Sequence, residues 1–93
     1  MSTEVTRNDA ESRYELTVGG RVVAGADYVA DGERGVMSHT VVDPAVRGRG
    51  IAATLVRHAL DDIRASGRTV VPSCWYVAEF IERNPAYGDL LAD

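Results

Sequence analysis

The strongest constraint on this chain is a change of rhythm at Asp43-Pro44: residues before it alternate as strands do, and residues after Gly50 recur as one face of a helix. Upstream, residues 5–7 form a short strand candidate. Arg13–Val18 alternates large and polar side chains with the period of two of a half-buried strand. Gly19-Gly20 reads as a hairpin turn into a longer strand over residues 21–30. Asp31-Gly32-Glu33-Arg34-Gly35 then supplies a glycine-containing reversal before a strand over residues 36–42. Pro44 has no N–H for the ladder and biases Asp43 away from helix, so the meander stops there. Downstream, Ala52, Leu55, Val56, Ala59, Leu60 and Ile63 predict a helix over residues 50–66, with Gly67 as its stop. Thr69–Pro72 is short and β-branched, as expected of a strand that returns parallel to an earlier one after a crossover helix. Trp75–Arg83 reads as a second helix, broken by Asn84-Pro85. The predicted order is ββββαβα: an α/β (α+β) fold with a mixed, mostly antiparallel sheet of about five strands and two helices.

Size and charge narrow the function classes. The 93 residues leave room for one domain, 1–93, and hence for one site. The net charge of −4 and the lack of a basic run weigh against nucleic acid as a partner and slightly favour a cationic one. No long apolar run and no basic-then-apolar leader is visible, so no membrane association is expected and the cytoplasm is the expected compartment. One cysteine and two distant histidines make no ligand cluster, so no metal is expected. All ten basic residues are arginine, which leaves the chain without a side-chain amine of its own.

The turn between the two rhythms carries the chemistry. In Val42-Asp43-Pro44-Ala45-Val46-Arg47-Gly48-Arg49-Gly50-Ile51-Ala52 a strand gives way to a glycine-punctuated turn that opens into the long helix. The first amides of a helix lack intrahelical partners and lie at the positive end of its dipole, so they can hold a pyrophosphate. Gly48 and Gly50 remove side chains that would bar the approach, Arg47 and Arg49 add charge at the rim, and Ala52 keeps the next turn slim. The plainer reading is a surface turn with solvated arginines. Gly48-Arg49-Gly50-Ile51-Ala52-Ala53 also fits a loose dinucleotide fingerprint, but several residues separate strand from glycine and no ribose-binding acid follows the next strand. A P-loop is excluded because no Gly-Lys-Ser/Thr occurs.

Arg47-x-x-Gly50-x-Ala52 resembles the acetyl-CoA signature Q/R-x-x-G-x-G/A of the GNAT N-acetyltransferases. The flanking residues His39-Thr40-Val41-Val42, Val70-Val71-Pro72-x-Cys74 and Arg83-x-Pro85-x-Tyr87-x-Asp89-Leu90 are similar to the small single-domain group of that superfamily. The resemblance spans residues 13–91. It implies a truncated GNAT sheet with an open acceptor side, acetyl-CoA as co-substrate at Val42, Arg47, Gly48, Arg49, Gly50, Ile51 and Ala52, and transfer of acetyl to a primary amine of a small molecule, peptide or protein; Asn84, past the second helix, is a further candidate for the CoA side, with helix capping as its rival reading. Two departures stand out. Val41 occupies the position where many members of the small group carry glutamate, and Ile81-Glu82 occupies the stretch where larger members place a tyrosine acid. These departures favour the alternative of a non-catalytic acyl-CoA-binding module.

Amine acetylation needs a neutral amine beside the thioester, donors to the oxyanion and a proton for the sulfur, so positioning carries much of it. Backbone amides of residues 36–42 are candidate oxyanion donors. Cys74, just beyond the parallel strand, is the leading side-chain candidate for accepting acetyl or moving a proton, with a buried structural cysteine as the rival reading. His39 is a candidate base, with a packed or hydrogen-bonded strand histidine as its rival. Trp75, Tyr76 and Phe80 are candidates to line the pantetheine arm or acceptor pocket, with core packing the favoured reading, and His58 is expected on the solvated side of the long helix.

Overall fold

The structure, a computed structural model, describes residues 3–91. Five strands form one sheet in the order β1-β2-β3-β4-β5: β1 Thr3–Asn8, β2 Arg13–Val18, β3 Arg21–Asp31, β4 Arg34–Val42 and β5 Thr69–Pro72. The first four are antiparallel and β5 joins β4 in parallel. Helix α1, Ile51–Ala65, makes the crossover, and α2, Trp75–Arg83, follows β5. This is the order the residue periodicity predicts. Short 3-10 turns at Pro44–Val46 and Pro85–Leu90 complete the backbone, and Leu91 bridges Val70 in parallel.

Glycine-rich connections behave as their conformational freedom allows. Gly19 and Gly20 both take positive φ, 58° and 85°, which suits the tight β2–β3 hairpin to the twist of its strands. The reversal after β3 is tighter than expected: Asp31 pairs directly with Arg34, so Arg34 and Gly35 belong to β4 rather than to a loop. Gly35 is in the strand for a steric reason, since the Tyr28 ring lies where its Cβ would be.

Both helices pack on one face of the sheet. Leu55, Val56, Ala59, Leu60 and Ile63 of α1 are buried against Tyr14, Leu16, Ala24, Ala26 and Met37, while Val77, Phe80 and Ile81 of α2 extend the same core. Strand alternation sends the intervening residues to the other face, where Val22, Val29 and Val41 remain exposed. A half-buried polar link ties the layers: the Tyr14 hydroxyl donates to Asp62 at 2.7 Å. Tyr28, stacked obliquely on Tyr14 at 5.3 Å, has a buried hydroxyl without a partner among the described residues. Tyr28→Phe is therefore expected to raise stability by about 1 kcal/mol, since it removes an unsatisfied group and keeps the ring. A urea midpoint that stays put or falls would show that the hydroxyl is satisfied.

Candidate functional site

The site arises where two paired strands part. β4 and β5 are in register from Arg34↔Thr69 to Met37↔Pro72, and Pro72 has no N–H to extend the ladder. The Cys74 amide makes one last bond to the Met37 carbonyl at 2.9 Å. Beyond it, a bulge at Ser38 against β3 turns the strand, and residues 38–42 run on without a β5 partner. The gap widens into a cleft of about 560 Å³, walled by β4, the turn into α1 and the start of α2.

At one end of the cleft the turn is built as the sequence predicts. Asp43 Oδ1 accepts from the Ala45 amide at 2.9 Å and its other oxygen pairs with Arg21, which pins the departure from β4. Gly48 and Gly50 take positive φ, 82° and 72°, and Gly50 is the N-cap of α1. No side chain caps the helix and no acid lies in its first turn, so its first amides and the dipole face outward uncontested. Arg47 is exposed on the cleft wall, and neither Arg47 nor Arg49 forms an ion pair among the described residues.

At the other end Cys74 is the N-cap of α2, 7% exposed and facing the cleft. Its sulfur lies 3.6 Å from the Thr40 hydroxyl, a contact in which either atom can donate. Burial pushes the thiol pKa up, but the Thr40 hydroxyl and the backbone amides of Val77, Tyr76 and Thr40 outweigh it and leave the thiol below its ordinary value. No capping hydrogen bond is closed to the sulfur, so the amides at the start of α2 act on the thiolate mainly through their dipoles. Tyr76 beside it is held above the usual phenol range by burial and then by Glu79, and its hydroxyl stays protonated near neutrality.

The structure brings most of the sequence-predicted residues together. His39, Val42, Arg47, Gly48, Ile51, Ala52 and Cys74 all line the cleft. Arg49 and Gly50 lie on its exposed rim. Asn84 does not reach it: its amide donates to the Phe80 carbonyl at 2.8 Å, and it borders a separate hollow of about 180 Å³ that shares Trp75 and Tyr76 with the cleft. Arg83 pairs with Glu79. His39 is exposed, so the packed-histidine reading does not hold. Trp75, 73% exposed, departs from the favoured core reading, and both it and Tyr76 line the cleft as their alternative reading has it. Ser38, Thr40, Val46 and Ser73 line the cleft without having been singled out. Thr40 alone had a signal, two residues from Val42 and therefore on the same strand face.

The chain belongs to the GCN5-related N-acetyltransferase family, whose model matches residues 13–90. Over 49 residues it is 41% identical to Protein NATD1 of Bos taurus and 39% identical to Protein NATD1 of Homo sapiens. The match covers 53% of this chain and 43% of each of those proteins, so the aligned stretch spans less than half of these relatives. Its fold is similar to that of a GCN5-like protein of Staphylococcus aureus, with a TM-score of 0.73 and 19% identity, covering 96% of this chain and 87% of that one. It is also similar to a GNAT family acetyltransferase of Brucella melitensis solved in complex with acetyl-CoA, with a TM-score of 0.58 and 21% identity over 73% of this chain and 50% of that one. Among the described residues no helix is long and apolar enough to cross a membrane, and no group of His, Cys, Asp or Glu is arranged to hold a metal.

Proposed function

We propose that this protein transfers acetyl from acetyl-CoA to a primary amine, with the cofactor lying along the cleft between the α1 turn and Cys74. The observation that carries the reading is the parting of β4 from β5 beside an uncapped helix start. An acetyl-CoA complex of similar fold supports the choice of cofactor. In this arrangement the first amides of α1 hold the pyrophosphate, with Gly48 and Gly50 giving it access and Arg47 and Arg49 adding charge. Val42, Ile51 and Ala52 flank the pantetheine arm, and unpaired backbone groups of β4 face the thioester carbonyl. The amine nitrogen attacks that carbonyl, the carbon–sulfur bond breaks, and the departing CoA thiolate takes up a proton. Cys74 is the group placed to exchange either the proton or the acetyl group, and exposed His39 is placed to take the proton of an incoming ammonium.

A single observation favours the alternative of a silent CoA-binding module: among the described residues no carboxylate lines the cleft, and exposed Val41 stands where a base would be expected. The test is acetyl-CoA titration followed by whole-protein mass spectrometry and an amine screen. With no lysine in the chain, an added acetyl group must sit on the N-terminus or on a nucleophile such as Cys74. A thiol-labile adduct absent from Cys74→Ala supports passage through the sulfur, and acetylated amine without adduct supports direct transfer. Tight binding with neither product supports the silent module, and no binding overturns the reading of the cleft.

Thr40→Val adds a pH test. The Thr40 hydroxyl stabilises the thiolate, so its loss raises the Cys74 pKa. The rate of Cys74 alkylation by iodoacetamide rises as the thiol deprotonates, and its midpoint is expected to move to higher pH in Thr40→Val. An unmoved midpoint would show that the amides of α2 alone set the thiol.

A further inference from the structure

The face of the sheet opposite the helices carries a second groove one strand residue away from the cleft, and the structure assigns it to an acceptor with two amino groups, an aliphatic diamine. This inference names the acceptor of the transfer proposed above and rests on that reading for the fate of the bound amine. The groove, about 260 Å³, is lined by Arg13, Val22, Gly25, Asp27, Val41 and Asp43, with Val23 and Ala24 beneath. Register fixes its relation to the cleft. Asp27 lies directly opposite His39 across the β3–β4 ladder, and residues directly opposite share a face. His39 is part of the cleft wall, so the cleft begins at the residue paired with groove residue Asp27.

The charges in the groove are unequal. Arg13 is engaged by Glu15 through Nε at 2.7 Å and a terminal nitrogen at 2.6 Å. Asp43 is engaged by Arg21 at 2.9 Å. Asp27, between Arg13 and His39, forms no ion pair or side-chain hydrogen bond among the described residues. Asp27 feels the Arg13 charge only after Glu15 has engaged it, and a carboxylate without a direct partner at the end of an apolar floor suits an ammonium group on a short alkyl chain. Val22, 46% exposed, and Val41, 53% exposed, supply that floor. The span from Asp27 across β4 to the cleft is one to two strand spacings, about 5–10 Å, which a chain of a few methylenes bridges. One nitrogen then rests against Asp27, and the other reaches the cleft past His39.

Amide chemical shifts of the protein without CoA, followed during titration with putrescine and with butylamine, test the groove directly. Putrescine is expected to shift the amides of Gly25, Asp27, His39 and Val41. Its affinity is expected to fall about fivefold or more in Asp27→Asn, to be retained in Asp27→Glu, and to exceed that of butylamine. Equal responses to the two amines, as a single lysine-like amine would give, overturn the proposal, as do shifts elsewhere or an unchanged response in Asp27→Asn. CoA binding, followed by fluorescence of Trp75, the one tryptophan of the chain, is measured separately. Its failure would overturn the transferase reading and leave the groove result standing.

Discussion

Replacing Gly50 by glutamate is expected to weaken CoA binding by about 100-fold, roughly 2.7 kcal/mol, with the fold intact. Two effects act at the same atom. Gly50 holds φ at 72°, where a side chain costs about 1–2 kcal/mol, so the variant resists the backbone shape that presents the first amides of α1. A carboxylate at the N-cap then faces the same positive helix end that the pyrophosphate needs, and two like-charged groups compete for it. The fold should survive because nothing lies within 4 Å of a Cβ built at Gly50, so no packing is disturbed. Gly50→Asn and Gly50→Ala separate the contributions: asparagine tolerates positive φ and adds no charge, whereas alanine adds strain alone. Affinity should therefore fall least in Asn, more in Ala and most in Glu. Trp75, on the cleft wall at the start of α2, reports binding in all three. Unchanged affinity in Gly50→Glu would remove the turn from the CoA site.

Which parts of this molecule were legible in the sequence follows from how local their causes are. Helix α1 and the hairpin at Gly19-Gly20 depend on spacing and on backbone freedom, both of which are written in consecutive residues. The glycine turn is equally local, and its positive φ values are those its composition implies. The parting of β4 and β5 is not local. It needs the bulge at Ser38, the missing donor of Pro72 and the packing of α2, three causes separated by more than thirty positions.

Trp75 and Asn84 show the limits of residue type. A tryptophan reads as core by its size, but the buried stripe of α2 is Val77, Phe80 and Ile81. Trp75 lies about 200° round the helix from Val77 and so faces away. Asn84 reads as a polar contact for the cofactor, yet at the end of α2 the nearest unpaired group is the Phe80 carbonyl, and its amide turns there. In both cases helix geometry decides what composition leaves open. Thr40 is the opposite case, a residue with no obvious chemistry that gains one from Cys74, thirty-four positions away.

Gly35 makes the same point in the core, and its replacement by alanine is expected to cost about 2–3 kcal/mol, the price of overpacking a site with no free volume. As a loop residue it would tolerate the change. In β4 it faces the Tyr28 ring, and an added Cβ would collide with Cε1 and press within 3.2 Å of Cδ1 and Cζ. The ring has little room to retreat: it is 7% exposed and rests on Tyr14, whose own hydroxyl is held by Asp62. Relief must therefore come from moving Gly35 itself, and Gly35 is paired with Ala30 on one side and Val70 on the other. Moving it strains the short β4–β5 ladder at the base of the cleft. A double-mutant cycle isolates the collision, because in the Tyr28→Ala background the cavity left by the ring should accept the methyl group and the cost of Gly35→Ala should nearly vanish. A coupling of about 2 kcal/mol in urea unfolding, at constant slope, is the expected result. Additive costs would instead place the penalty in the strand backbone and leave the contact with Tyr28 without energetic weight.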